Sequence, residues 1–333
     1  MSKKSLTPID EIYNSNLSKD LQKLAENELR ETEKSRQQAI TAMRKWIESN
    51  PRIELTRMDS KFLLRFLRTK KFSVTMAQEN LERFILLRKS RDGTVFQNMD
   101  CQLPNVVDLL DLGHIFVLPN RDHMNRRIIF YRPGFFNPSK YINIDMIKMH
   151  GVCYETLMED EENQIRGFVH MVDCSGLGLK HMTLFTPKEA VRIVKNGERI
   201  IPMRHKMVIA FNLSPSIKFA VDFGMGLISE KMRKRINFYT NIDQCDLIDK
   251  KLLPAEYGGE MPMKEMIESW KAELEQKRDL LLLHDKMSVN LEMYTENERE
   301  GAISALKKPL GFNEDNSSCM YGKQGSFRKL EVD

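Results

Sequence analysis

Residues 167–176 read GFVHMVDCSG, a short apolar run stopped by Asp-Cys-Ser-Gly. A run of this length bounded by turn residues predicts a strand. Upstream, RRIIFYRPG (126–134) is a second short strand closed by Pro-Gly. Between the two, IDMIKMHGVCYETLMEDEENQ (144–164) predicts a helix of about five turns at 3.6 residues per turn. Downstream, TPKEAVRIVKNGERI predicts a helix opened by Thr186 as cap and Pro187 at its first position. RHKMVIAFNLSP is then a third strand, PSIKFAVDFGMGLISEKMRKRI a helix, and NFYTNID a fourth strand. Strands alternating with helices of this length imply right-handed crossovers and a mostly parallel sheet. LLPAEYGGE (252–260) reads as irregular, with a turn at the Gly pair, before a closing helix over 263–287.

The leader is different in kind. Leu21, Leu24, Ala25 and Leu29 recur at helical spacing, as do Ile40, Met43, Trp46 and Ile47. Asn50-Pro51 ends that second helix, because the residue before proline avoids helical geometry. Asp59 caps a third helix facing Phe62, Leu63, Phe66 and Leu67 inward. Ser73 caps a fourth with Ala77, Leu81, Phe84 and Ile85 on one face. The expected organisation is a disordered start (1–16), a helical module (17–100), a sheet domain (104–262), the closing helix, and a mostly disordered tail (288–333).

Composition excludes several classes. The 333 residues carry 52 Lys+Arg against 47 Asp+Glu, a net charge of +5 that does not indicate general nucleic-acid binding. No uncharged apolar run approaches the roughly 18 residues of a membrane-spanning helix. The start and end show no secretion signal, myristoylation glycine or prenylation box, and the 5 Cys are odd in number and widely spaced. A cytoplasmic, reduced, monomeric protein is expected.

Catalytic signatures are incomplete. SGLGLKH (175–181) lacks the third glycine of a dinucleotide turn, and there is no GxxxxGK[ST], GxSxG or HExxH. No cofactor, metal or enzymatic activity is expected. Cys174, beside Asp173 at a strand end, reads as a buried thiol rather than a nucleophile. The acidic run EDEEN (159–163) reads as a solvated loop.

Two features stand out. Arg204, His205 and Lys206 open the third strand, and Lys231, Arg233, Lys234 and Arg235 follow on a helix, with Lys231, Lys234 and Arg235 sharing a face. This is either a solvated helix face or a site for multiply charged phosphates. Just before it, PSIKFAVDFGMGLI carries an apolar stripe of Ile217, Ala220, Val221, Gly224 and Ile228. Phe219, Phe223 and Met225 make the rest apolar too. A helix apolar on most sides is either buried in a core or meets lipid.

FLLRFLR (62–68), FVHMVDCSG, IPMRHKMVIAFNLSP (201–215), SEKMRKRI (229–236) and LLPAEYGGE, in this order, resemble the CRAL-TRIO lipid-transfer family over about residues 20–285. The nearest branch by resemblance is that of the α-tocopherol transfer and retinaldehyde-binding proteins, and GSFRKLEVD (325–333) resembles the end of insect members. The resemblance implies an α/β fold that encloses a lipid cavity behind a mobile gate helix. It implies a carrier of a hydrophobic small molecule, peripheral and reversible on membranes. A cleft for phosphatidylinositol bisphosphate falls on Arg68, Arg204, Lys206, Lys231 and Arg235, with Lys and Arg exchanged at 204 and 206. Pocket positions fall on Ile147, His150 and Tyr154 of a helix and Phe168, His170 and Val172 of a strand. Gate positions fall on Ile217, Val221, Gly224 and Ile228, leaving Phe219 and Phe223 for the bilayer. His150 and Tyr154 replace serines of the tocopherol carrier, which speaks against tocopherol itself. A phospholipid carrier, a phosphoinositide-sensing trafficking adaptor and an oxidoreductase on a bound lipid stay open beside this reading.

Overall fold

The computed structural model describes residues 3–299 apart from 11, 12, 14, 90–95, 185, 187–190, 192, 193, 195–199 and 297. The expected helix over 186–200 falls largely on residues outside this set, as do Cys319 and residues 325–333. Four helices form the leader: α1 (Lys19–Leu29), α2 (Glu33–Ser49), α3 (Ser60–Thr69) and α4 (Val74–Lys89). Their starts follow side-chain chemistry. Ser18, Thr32 and Asp59 each accept a backbone N–H of the first turn, and Asp59 does so from Phe62 as expected.

The second part holds α5 (Pro104–Asp111), β2 (Ile115–Val117), β3 (Arg127–Tyr131), α6 (Asn143–Leu157), α7 (Glu161–Arg166) and β4 (Phe168–Asp173). It continues with α8 (Leu179–Met182), β5 (His205–Phe211), α9 (Lys218–Leu227), α10 (Glu230–Arg233), β6 (Ile236–Tyr239) and α11 (Met263–Leu283). The sheet order is β2-β3-β4-β5-β6. β3 to β6 are parallel and β2 is an antiparallel edge strand, so the fold is α/β with a mostly parallel sheet. Ile129, His170 and Val208 are register partners, as are Tyr131, Val172 and Ala210, so both rows lie on one face. Phe116, Phe130 and Phe211 pack on the other with Tyr257.

Three expectations are corrected. Residues 4–10, within the stretch expected to be disordered, are tied down. Ser5 bridges Thr56, the Lys4 ammonium donates to the Ile47 and Asn50 carbonyls at the end of α2, and Asp10 pairs with Arg44. The tail does not begin at 288, because β7 (Ser288–Val289) pairs with β1 (Ile53–Leu55). Met287, Val289 and Tyr294 fill the leader's core. EDEEN is no solvated loop: Glu159 is buried against Arg57 and Arg65, Asp160 caps α7, Glu161 takes Arg68, and Asn163 has no exposure. Arginines arriving from the leader neutralise these acids, which local sequence does not show.

Candidate functional site

The basic residues converge from separate elements. Arg204 and Lys206 flank His205 at the start of β5, and Arg235 lies just before β6, its carbonyl accepting the Val208 N–H. The Arg235 guanidinium donates to the His205 carbonyl. Arg204 and Lys206 both reach one carboxylate oxygen of Glu28 on α1, at 2.6 Å each. Burial pushes Arg204 and Lys206 below their ordinary values; Glu28 opposes this, and Arg235 adds to it. Lys231 is exposed, and burial followed by Arg235, Lys71 and Arg204 lowers it. Such mutual depression means that these cations feel one another's field.

Arg68 differs from the other four. It is fully buried: Nε and Nη2 donate to Glu31 at 2.9 and 2.8 Å, and Nη1 donates to Glu161 and Gln164. Its charge still reaches Arg204. Lys70 and Lys71 join the patch unexpectedly: burial, then Arg83 and Lys231, lower Lys70. Both follow FLLRFLR in a turn where Lys71 and Phe72 take left-handed φ values of 50° and 60°. The TKKF (69–72) run carries them in the sequence. The basic face over 231–235 is also corrected. α10 is one turn, opened by Ser229 accepting the Met232 N–H, and Lys234 is exposed and paired with Glu230.

The pocket positions gather a polar chain. The Tyr131 hydroxyl lies 2.9 Å from that of Tyr154 and 2.8 Å from His170 Nδ1. His170 Nε2 lies 2.8 Å from His205 Nδ1. Burial pushes His170 well down, with His205 and His150 opposing a further proton there, and pushes His205 to about 4, with the Arg235 charge adding to it, so both imidazoles are neutral near pH 7. His150 donates from Nδ1 to the Met146 carbonyl at 2.7 Å and stacks on Tyr131. Ile147, His150 and Tyr154 recur along α6, and all keep some accessible surface, as does Val172. Phe168 has none and belongs to the packed core. Tyr131 and His205 are the members that sequence reading missed; Tyr131 sits on a neighbouring strand, one register step from view.

α9 divides its residues by face. Lys218, Phe219, Asp222, Phe223 and Gly226 are exposed, with Phe219 at 63% and Phe223 at 48%. Val221, Gly224 and Ile228 keep partial exposure, and Ile217, just before the helix, is buried. No residue of α9 itself is buried, and a Cβ added at Gly224 would meet nothing within 4 Å. Apolar side chains that keep this much exposure show that α9 is not a core helix.

The specific motifs have structural work. Asp173 accepts from the Ser175 N–H, the Asn212 amide and the Tyr257 hydroxyl; burial would raise its carboxyl, but these bonds hold it low. A Cβ at Gly259 would stand 1.7 Å from the Leu253 carbonyl oxygen, so that glycine is sterically required, while Gly258 takes a left-handed φ of 87°. Burial pushes the Cys174 thiol up to about 11, so it is no nucleophile at neutral pH. Among the described residues no helix is long and apolar enough to cross a membrane, and no metal-type cluster occurs.

Comparison with known proteins meets this geometry. The CRAL/TRIO domain matches residues 112–259. Clavesin-1 of Xenopus laevis is 30% identical over 241 residues, which is 72% of this chain and 72% of that protein. Clavesin-1 of Rattus norvegicus is 30% identical over 75% of this chain and 71% of its own length, and human clavesin-2 is 28% identical over 75% and 77%. The crystal structure of Sfh5 shares the fold with a TM-score of 0.50 at 13% identity, covering 74% of this chain and 98% of that one. With the parallel sheet, the helical leader and the Tyr-Gly-Gly turn in place, the chain belongs to the CRAL/TRIO domain family.

Proposed function

We propose that this protein is a non-enzymatic, cytoplasmic, monomeric carrier of a small hydrophobic ligand, which it exchanges at membranes holding phosphatidylinositol bisphosphate. The observation that carries the reading is α9, an apolar helix with no buried residue, followed at once by a patch of surplus positive charge. An apolar ligand gains roughly 25 cal/mol per Å² when sheltered from water, so a covered cavity solves its solubility. Release needs the cover to open, and a membrane phosphate biases that step only by binding the open form better. Arg204, Lys206, Lys231 and Arg235 are the proposed phosphate donors, with Arg68 behind them. Ile147, His150, Tyr154, His170 and Val172 are the proposed lining, with Phe168 beneath. Val221, Gly224 and Ile228 face the ligand, anchored by Ile217, while Phe219 and Phe223 enter the bilayer. The tocopherol–retinaldehyde branch, with a tocopherol-, retinoid- or carotenoid-like cargo, is the finer placing we favour.

A fluorescent-lipid transfer assay between vesicles tests this. Phe219→Asp with Phe223→Asp should keep the lipid bound in solution but slow transfer. Val221→Asp should impair retention, because it sets an unpartnered charge against the apolar ligand. If both variants behave alike, the two-faced cover is wrong. Mass spectrometry of lipid co-purified from host tissue then identifies the class of cargo.

A further inference from the structure

The turn that joins α3 to α4 reads Thr69-Lys70-Lys71-Phe72-Ser73 and sets a serine directly after the cationic pair. The Ser73 N–H donates to the Lys70 carbonyl at 3.1 Å, and the Ser73 carbonyl accepts the Ala77 N–H at 3.0 Å, so Ser73 stands at the N-cap of α4. Its hydroxyl makes no hydrogen bond among the described residues, and the residue keeps accessible surface. α4 is 16 residues long and has no acid in its first turn, so the positive end of its dipole goes unanswered.

The charge around this hydroxyl is mostly of one sign. Lys70 and Lys71 are the third and second residues before it. Burial lowers Lys70, Arg83 and Lys231 add to this, and Glu79 on α4 opposes it; Lys231 in turn feels Lys71. A serine that follows two lysines suits the acidic substrate groove of a basophilic protein kinase, where charge pattern selects the partner. The turn is also placed to open. Lys71 is exposed, and Lys71 and Phe72 hold successive left-handed φ values of 50° and 60°, which L side chains adopt only under strain.

We propose that Ser73 is a phosphorylation site for a basophilic serine kinase, and that the phosphate closes the cleft by engaging the lysines that would otherwise meet the membrane. In the transfer, Ser73 Oγ forms a bond to the γ-phosphorus of ATP and the bond from that phosphorus to the β,γ-bridging oxygen breaks. ADP leaves with the electron pair, and the hydroxyl proton passes to the base of the kinase. The product carries close to two negative charges and three acceptor oxygens at a helix N-terminus, beside Lys70 and Lys71. An anion tethered there has a far higher effective concentration than a lipid headgroup, so it holds the cations. The inference rests on the phosphoinositide reading of the cleft above and names the regulation of that site.

The test incubates the full chain with ATP, Mg²⁺ and a basophilic serine kinase and maps the phosphate by mass spectrometry. Binding is then measured to phosphatidylcholine vesicles with and without phosphatidylinositol bisphosphate. Phosphate should appear on Ser73, and binding to the bisphosphate vesicles should fall about tenfold. Ser73→Asp should weaken that binding severalfold, whereas Ser73→Asn, an equally good cap without the charge, should bind as the natural protein does. The urea midpoint should hold or rise in the phosphorylated chain and in Ser73→Asp, because the charge sits at a helix N-terminus. A folded chain that stays unmodified at Ser73 overturns the proposal, as does a Ser73→Asp that binds like Ser73→Asn. A loss of binding with a lower midpoint also overturns it, since that marks a broken turn. If the unmodified protein binds both kinds of vesicle alike, the phosphoinositide reading falls and takes this inference with it.

Discussion

Two groups of cationic side chains lie in this chain, and they differ in what answers their charge. In the seam between leader and sheet domain, Arg57, Arg65 and Arg88 meet Asp59, Glu155 and Glu159, with His284 against Glu155. All three arginines are almost without exposure, and the charges cancel. In the second group, Arg204 and Lys206 share the one carboxylate of Glu28, and Arg235 helps to lower Arg204, Lys206 and Lys231. Cancelled charge welds two bodies together, whereas surplus charge repels itself and is open to an anion on the reading proposed above. Arg68, bonded to Glu31 and Glu161, is of the first kind by its bonds and of the second by its position.

The largest effect should come from unbalancing the seam. Arg65→Ala leaves Glu155 and Glu159 short of a buried partner and should cost about 3–5 kcal/mol, read by chemical denaturation. A loss within the range of an exposed pair would show that the seam is wet and the comparison false.

Acid should find the same seam. Burial would raise Glu159, but Arg65 and Arg57 hold it down to about 2 against an ordinary 4.5; Arg88 does the same for Glu155. Burial also lowers His284 from 6.5. All three bind protons more weakly in the folded state, so stability rises with pH through their range. The urea midpoint should therefore fall as pH drops below about 6.5, and faster below about 4.5 toward 2. A midpoint that rises between pH 7 and pH 5 would contradict this.

For the cleft, Lys231→Ala with Arg235→Ala should weaken binding to vesicles containing phosphatidylinositol bisphosphate about tenfold or more at moderate salt, with the fold intact. Arg68→Ala separates the two kinds of arginine: it should lower stability, and the more it does so without a selective loss of vesicle binding, the more firmly it belongs to the seam. The smallest effect is expected at Glu28→Gln, which removes the one carboxylate against Arg204 and Lys206. Vesicle affinity should rise severalfold at low salt and lose that advantage as salt increases. A fall in affinity would mean that Glu28 positions the cations instead of competing for them.

Apolar runs bounded by turn residues made β3, β4 and β5 readable, and side-chain chemistry did the same for the Asp59 cap. β1, β2 and β7 were not, because runs of two or three residues carry no period. The membership of a charge is still harder to read. FLLRFLR shows Arg65 and Arg68 three residues apart, but not that their carboxylates come from Glu155, Glu159, Glu31 and Glu161. Arg204, Lys206 and Arg235 come near one another because a parallel sheet brings successive strand starts to one edge. Lys70 and Lys71 arrive there from the leader, whose docking no local pattern records.

The pairing of β7 with β1 has a consequence for synthesis on the ribosome. The leader is made first, yet its core is completed by Met287, Val289 and Tyr294. At roughly 5–20 residues per second, the stretch between α4 and β7 takes on the order of 10–40 s to emerge. Through that interval the nascent leader shows an unpaired strand edge and an open apolar face, so it depends on residues made well after it to close its core.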